Sequence, residues 1–147
     1  ATKKGISIRF KEKDVRPMGR ASSGVRAVHL KANDAVVGAD IISKGSAGEE
    51  LLVVAEMGYG KKTKVKEYKT QNRGGGGIKT MNVTPKTGSL VSSRIILPEE
   101  EDLIVVSTKG QVIRTPLKDI PSLGRSTQGV RIMKLEPGDK VASVTTL

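Results

Sequence analysis

Cysteine is absent from this chain. That excludes a disulfide framework and a thiolate metal site, and it fits a reducing compartment. Tryptophan is missing as well, and Phe10, Tyr59 and Tyr68 are the only aromatic residues. The stacking platforms of a single-strand nucleic-acid binder are nearly excluded with them. The one histidine, His29 in the segment AVHL, offers no cluster for a metal and reads as packing or surface rather than as a catalytic base. No apolar run approaches the roughly 18 to 20 residues of a membrane-spanning helix. The opening ATKKGISIRF carries no signal-peptide pattern, so a cytoplasmic protein is expected.

What is present is positive charge, unevenly placed. The net charge is +11, and of 26 Lys and Arg residues eight lie between Lys3 and Arg26, seven between Lys61 and Lys79, and six between Lys109 and Lys134. Acids gather elsewhere, at Glu49-Glu50 and in the run Glu99-Glu100-Glu101-Asp102. A chain kept soluble by its lysines would scatter them. Banding points to a polyanionic partner, nucleic acid ahead of an anionic membrane surface.

The bands follow a repeat. ISIRF, LLVVAE, LIVVST, QVIRT, GVRIMKL and KVASVTTL are short, rich in Val and Ile, and bounded by turn residues. They predict an all-β chain without a long helix. Three segments align without gaps from Gly5, Gly58 and Gly110, spaced by 53 and 52 residues. Four positions on stands a base (Arg9, Lys62, Arg114), nine on an acid (Asp14, Glu67, Asp119), fifteen on an arginine (Arg20, Arg73, Arg125). Nineteen on stands a glycine (Gly24, Gly77, Gly129), then an aliphatic residue and a base (Arg26, Lys79, Arg131). A unit of this length predicts propeller-like blades of four strands, about three of them, in one domain over 1–147 with repeats 1–43, 44–97 and 98–147. The second and third copies begin with strands that the first lacks. The chain is therefore expected to be part of a longer array, or one in which VASVTTL fills the gap. The acids at the ninth position are expected in salt bridges or turn caps.

Catalytic motifs fail on inspection. A phosphate-binding P-loop would need glycine where Ala55 stands and a hydroxyl where Lys62 stands, and RGGGGIKT separates its last glycine from the lysine with Ile78. Four consecutive carboxylates before a strand read as a solvated turn between blades rather than a magnesium site. An arginine-to-glycine loop with open N–H groups and a base beyond it suits a phosphate. The candidate phosphate contacts are Arg9, Arg20, Arg26, Lys61, Lys62, Lys64, Arg73, Lys79, Arg114, Arg125 and Arg131. In the loop QNRGGGGIKT, Gly74, Gly75 and Gly76 replace the Ala-Ser-Ser and Ser-Thr-Gln of the other copies, which predicts the most mobile of the three loops.

The strings IRFKEKDVRPMGRASSGVRAVHL, MGYGKKTKVKEYKTQNRGGGGIKT and GRSTQGVRIMKL resemble the C-terminal domain of bacterial DNA gyrase A, a β-pinwheel. The resemblance implies the last three of six blades, wrapping duplex DNA on a basic rim to support ATP-driven negative supercoiling. It implies no cofactor in this chain. ATP, magnesium, gyrase B and the rest of gyrase A, in an A2B2 assembly on the bacterial chromosome, belong to the holoenzyme, and the chain alone is expected to be a monomer. Gln71, Arg73, Gly74, Gly75 and Gly77 match the family's gyrase-box signature, while Asn72 and Gly76 stand where bases are expected. This copy reads as a degenerate echo of a box expected upstream. The equivalent domain of topoisomerase IV and a propeller-like protein-interaction scaffold are the alternatives.

Overall fold

A computed structural model describes residues 1–45 and 48–147. Among these described residues nine strands follow in chain order: β1 (Ile6–Ser7), β2 (Glu50–Ala55), β3 (Tyr59–Lys64), β4 (Ile78–Lys79), β5 (Leu90–Ile95), β6 (Asp102–Ser107), β7 (Val112–Pro116), β8 (Val130–Arg131) and β9 (Val141–Thr146). Single 3-10 turns occupy Glu12–Asp14, Val65–Glu67 and Leu117–Asp119. Each of these turns ends on the acid at the ninth repeat position. All three acids are exposed, and none joins an ion pair within 4.0 Å among the described residues.

The sheets contain two, four and three strands, in the orders β1-β4, β5-β2-β3-β8 and β7-β6-β9. Adjacent repeats exchange strands. β4 of the second repeat pairs with β1 of the first (Ile6 opposite Lys79), and β8 of the third completes the sheet of the second (Tyr59 opposite Arg131). β9 lies beside β6, from Leu103 opposite Thr146 to Ser107 opposite Val141. VASVTTL therefore belongs to the third repeat and does not fill the gap in the first, where Thr2 bridges to Val36.

The anchoring glycines show why these joints need them. Gly58 has φ +83, and a Cβ there would lie 2.3 Å from the Met133 carbonyl oxygen; at Gly5, with φ +80, it would lie 2.5 Å from that of Met81. The close approach exists because the next repeat docks on the glycine carbonyl. Ile132 N–H donates to Gly58 O at 2.8 Å, and Thr80 N–H donates to Gly5 O at 2.8 Å.

β2 sits between two packed layers. Leu52 and Val54 join Leu103, Val105, Leu117, Ile120, Met133 and Val141, while Val53 and Ala55 face Tyr59, Met81 and Leu90. That is why ELLVVA reads as an unbroken apolar run, whereas β6 buries only alternate residues, Leu103, Val105 and Ser107. Full burial of a Leu or Val side chain contributes roughly 1.5–3 kcal/mol.

Candidate nucleic-acid interface

The structure divides the eleven candidate cations into three groups. Arg20, Arg26, Lys64, Lys79 and Arg131 are exposed. Two others stand in ion pairs at equivalent places: Lys62 meets Glu50 at 3.2 Å, and Arg114 donates to Asp102. The remaining four turn inward, toward the protein's own backbone.

Of these, Lys61 is the clearest departure from expectation. It is fully buried, with 0% of its surface exposed, and so is not a surface phosphate contact. Its ammonium donates to Gly124 O at 2.6 Å, Arg125 O at 2.8 Å and Thr127 Oγ1 at 3.1 Å, which uses all three donors on the loop of the third repeat. The other repeats carry Ile8 and Ile113 at this position. Burial pulls the Lys61 pKa down to about 8, with the Arg125 charge adding to the effect and Glu67 opposing it.

The arginines at the fifteenth position act as latches. Arg73 donates through Nε to Asp14 O at 2.8 Å and through a terminal nitrogen to Arg26 O at 2.5 Å; Arg125 donates to Lys79 O at 2.9 Å. Arg26 and Lys79 are themselves equivalent positions, so the same contact recurs at both joints. Arg9 likewise spends its guanidinium on Val65 O and Tyr68 O, both at 3.2 Å. Arg9, Arg73 and Arg125 hold one repeat to the next, and their charge is directed at carbonyls.

The glycine-rich loop differs from expectation for the same reason. Gly74 N–H donates to Ala27 O at 2.8 Å, and Gly75 O accepts from His29 N–H at 2.8 Å. With the two Arg73 bonds, these pin the loop to the first repeat. Gly77, at φ +71, would bring a Cβ within 2.7 Å of Ser7 O. Within the acidic run, Asp102 holds Arg114, while Glu100 accepts from Arg94 at 3.0 Å, from the Leu97 N–H at 2.8 Å and from Thr146. Half of that run is structural rather than solvated. No group of three or more His, Cys, Asp or Glu residues is placed to hold a metal among the described residues.

One series of cations escaped sequence reasoning. Lys13, Lys66 and Lys118 occupy the middle of the three 3-10 turns, eight residues after each anchoring glycine, and all are exposed. The signal lay in the repeat register, one position before the acids. Together with Arg26, Lys79 and Arg131, they give two cation series exposed in every repeat. Cations at a fixed register suit a regular array of phosphates and carry no base readout.

The two phenols, both buried, meet different polar partners. Tyr68 is buried and shares a hydrogen bond of 2.5 Å with Thr80 Oγ1; burial pushes its pKa up. Tyr59 accepts a hydrogen bond from Arg131, and that bond, with the charges of Arg131 and Lys86, holds its phenol below the ordinary value.

The chain matches the family described as DNA gyrase C-terminal domain, beta-propeller, over residues 1–43, 49–96 and 101–147. It is 47% identical over 137 residues to the DNA gyrase A protein of Staphylococcus epidermidis, covering 93% of this chain and 15% of that protein. Among solved structures it is similar to a DNA gyrase A C-terminal domain, with TM-score 0.82 and 27% identity over 99% of this chain and 48% of that one. It is similar in fold to the C-terminal domain of DNA topoisomerase IV, with TM-score 0.89 and 22% identity over 99% of this chain and 45% of that one. With its three strand-exchanged repeats and the match in all of them, the chain belongs to the DNA gyrase C-terminal domain family.

Proposed function

We propose that this chain binds the backbone of duplex DNA without catalysis and bends it along a basic rim, as part of a gyrase that introduces negative supercoils. The observation that carries this reading is the pair of exposed cation series, Lys13/Lys66/Lys118 and Arg26/Lys79/Arg131, repeated at fixed register. The family relatives, which carry the name DNA gyrase, support the assignment to gyrase. The likeness to topoisomerase IV, at 22% identity, speaks for the fold alone. In this reading the cutting tyrosine, ATP and magnesium belong to the remainder of an A2B2 assembly in the bacterial cytoplasm.

A salt titration of binding to a nonspecific duplex, followed by fluorescence anisotropy, tests it. With about six phosphates neutralised, the log–log slope should be roughly −5. Replacing Lys13, Lys66 and Lys118 together with alanine should shrink the slope by about 2.7, equally on unrelated sequences. A flat salt dependence rejects the proposal. Displacement of the duplex by an acidic protein at equal concentration would favour an interaction scaffold.

A further inference from the structure

Tyr59 opens β3 and is only 6% exposed, with its ring packed into the layer formed by Val53, Ala55, Met81 and Leu90. Two cations stand over that ring. Lys86 Nζ is 5.5 Å from its centroid and Arg131 Cζ is 5.7 Å away. They reach it from different elements, Arg131 across the β3–β8 pairing and Lys86 from the turn closed by the Thr87 N–H bond to Thr84 O. Both are exposed. Neither meets a carboxylate within 4.0 Å among the described residues, whose ion pairs take up Lys62, Arg94, Arg114 and Lys140 instead.

Each cation gains only about 0.5–1 kcal/mol from an exposed ring face. Both positive charges bear on one phenol, so an anion beside it would be favoured by each. The phenol adds a third donor. Arg131 donates to Oη at 3.3 Å, which leaves the hydroxyl's own hydrogen uncommitted. A guanidinium fork, an ammonium and a phenol O–H match an oxyanion with several acceptor oxygens.

We propose that Tyr59, Lys86 and Arg131 form a discrete phosphate-binding site at the joint of the second and third repeats, and that it takes one phosphodiester of the bound duplex. The site rests on the DNA-binding reading above and adds a fixed register to it. It has no twin at the other joint, where Ile6 and Lys79 occupy the positions of Tyr59 and Arg131. The rim therefore holds the duplex at one privileged phosphate rather than sliding uniformly beneath it.

The chain contains only two tyrosines, with pKa values moved in opposite directions, so their phenolate absorbances separate in a pH titration. A bound phosphate beside Tyr59 offsets part of the positive potential that lowers its pKa. Adding nonspecific duplex should raise the Tyr59 midpoint by at least about half a pH unit and leave Tyr68 unmoved. Lys86→Ala, at an exposed position, should shrink the salt slope by about 0.9, and Tyr59→Phe, which keeps the packed ring, should weaken duplex binding severalfold. Binding by anisotropy with an unmoved Tyr59 midpoint and an unchanged Lys86→Ala slope overturns the site while leaving DNA binding intact. Absence of duplex binding by the unmodified chain overturns both.

Discussion

The joint between the first and second repeats and the joint between the second and third are built alike in backbone and differently in side chains. Both pair a two-residue strand with the strand of the preceding repeat, and both place an anchoring glycine carbonyl under two N–H groups of the next repeat. Both also close with an arginine on the carbonyl of an equivalent basic residue. The second joint then replaces Ile6 and Ile8 by Tyr59 and Lys61, which adds a packed phenol and a buried ammonium. A repeated architecture thus holds its shape through main-chain contacts, leaving side chains at the joint free to acquire separate chemistry.

The largest effect is expected where the shared backbone contact is blocked. Gly58→Ala adds a Cβ against the Met133 carbonyl at positive φ and should cost about 3–4 kcal/mol. Gly110→Ala has the same φ of +83 and nothing within 4 Å, so it should cost only about 1–2 kcal/mol. Equal losses in urea unfolding would show that docking of the next repeat contributes nothing.

Lys61→Met probes what is particular to the second joint. It removes three charge-assisted hydrogen bonds, at about 1.5–3 kcal/mol each, and leaves Arg125 O without its partner, while the Thr127 hydroxyl still donates to Gly124 O at 2.9 Å. After relief of the buried charge, a net loss on the order of 2 kcal/mol is expected at pH 7, with faster amide exchange in residues 124–127. The pH dependence has a definite sign. The unfolded chain keeps this proton up to about pH 10.5 and the folded chain loses it near 8, so the penalty of burying the charge is fully present below pH 8. The stability of the unmodified chain relative to Lys61→Met should therefore rise between pH 8 and 10.5. A flat difference would place the ammonium in contact with water.

The smallest effects belong to the latches. Arg73→Ala and Arg125→Ala should each cost about 1 kcal/mol, with Arg73 the larger because it binds two carbonyls. Because they act at different joints, the double variant should be additive to within about 0.5 kcal/mol. A larger coupling in a double-mutant cycle would mean that the joints open together.

Much of this was legible in the chain. Alternating Val-rich segments and the register of Gly5, Gly58 and Gly110 led to strands, turns and three repeats, because period-two burial and positive φ leave local signatures. Strand exchange was not legible, since pairing partners as distant as Ile6 and Lys79, or Tyr59 and Arg131, leave no local trace. The same applies to the sorting of the cations. Lys61 and Lys62 are neighbours of one type, yet one is enclosed by the third repeat's loop and the other meets Glu50. Arg20 and Arg73 hold one repeat position, yet Arg20 is exposed while Arg73 grips two carbonyls of the first repeat.

The sequence by itself determined the all-β class, the repeat and the surplus of positive charge, for these depend on composition and on spacing along one strand or turn. Only the tertiary structure decided which charges are left for a partner. A lysine or arginine reaches several ångströms from its backbone, and whether it ends on a carbonyl, a carboxylate, a tyrosine ring or in water depends on which neighbouring repeat packs beside it.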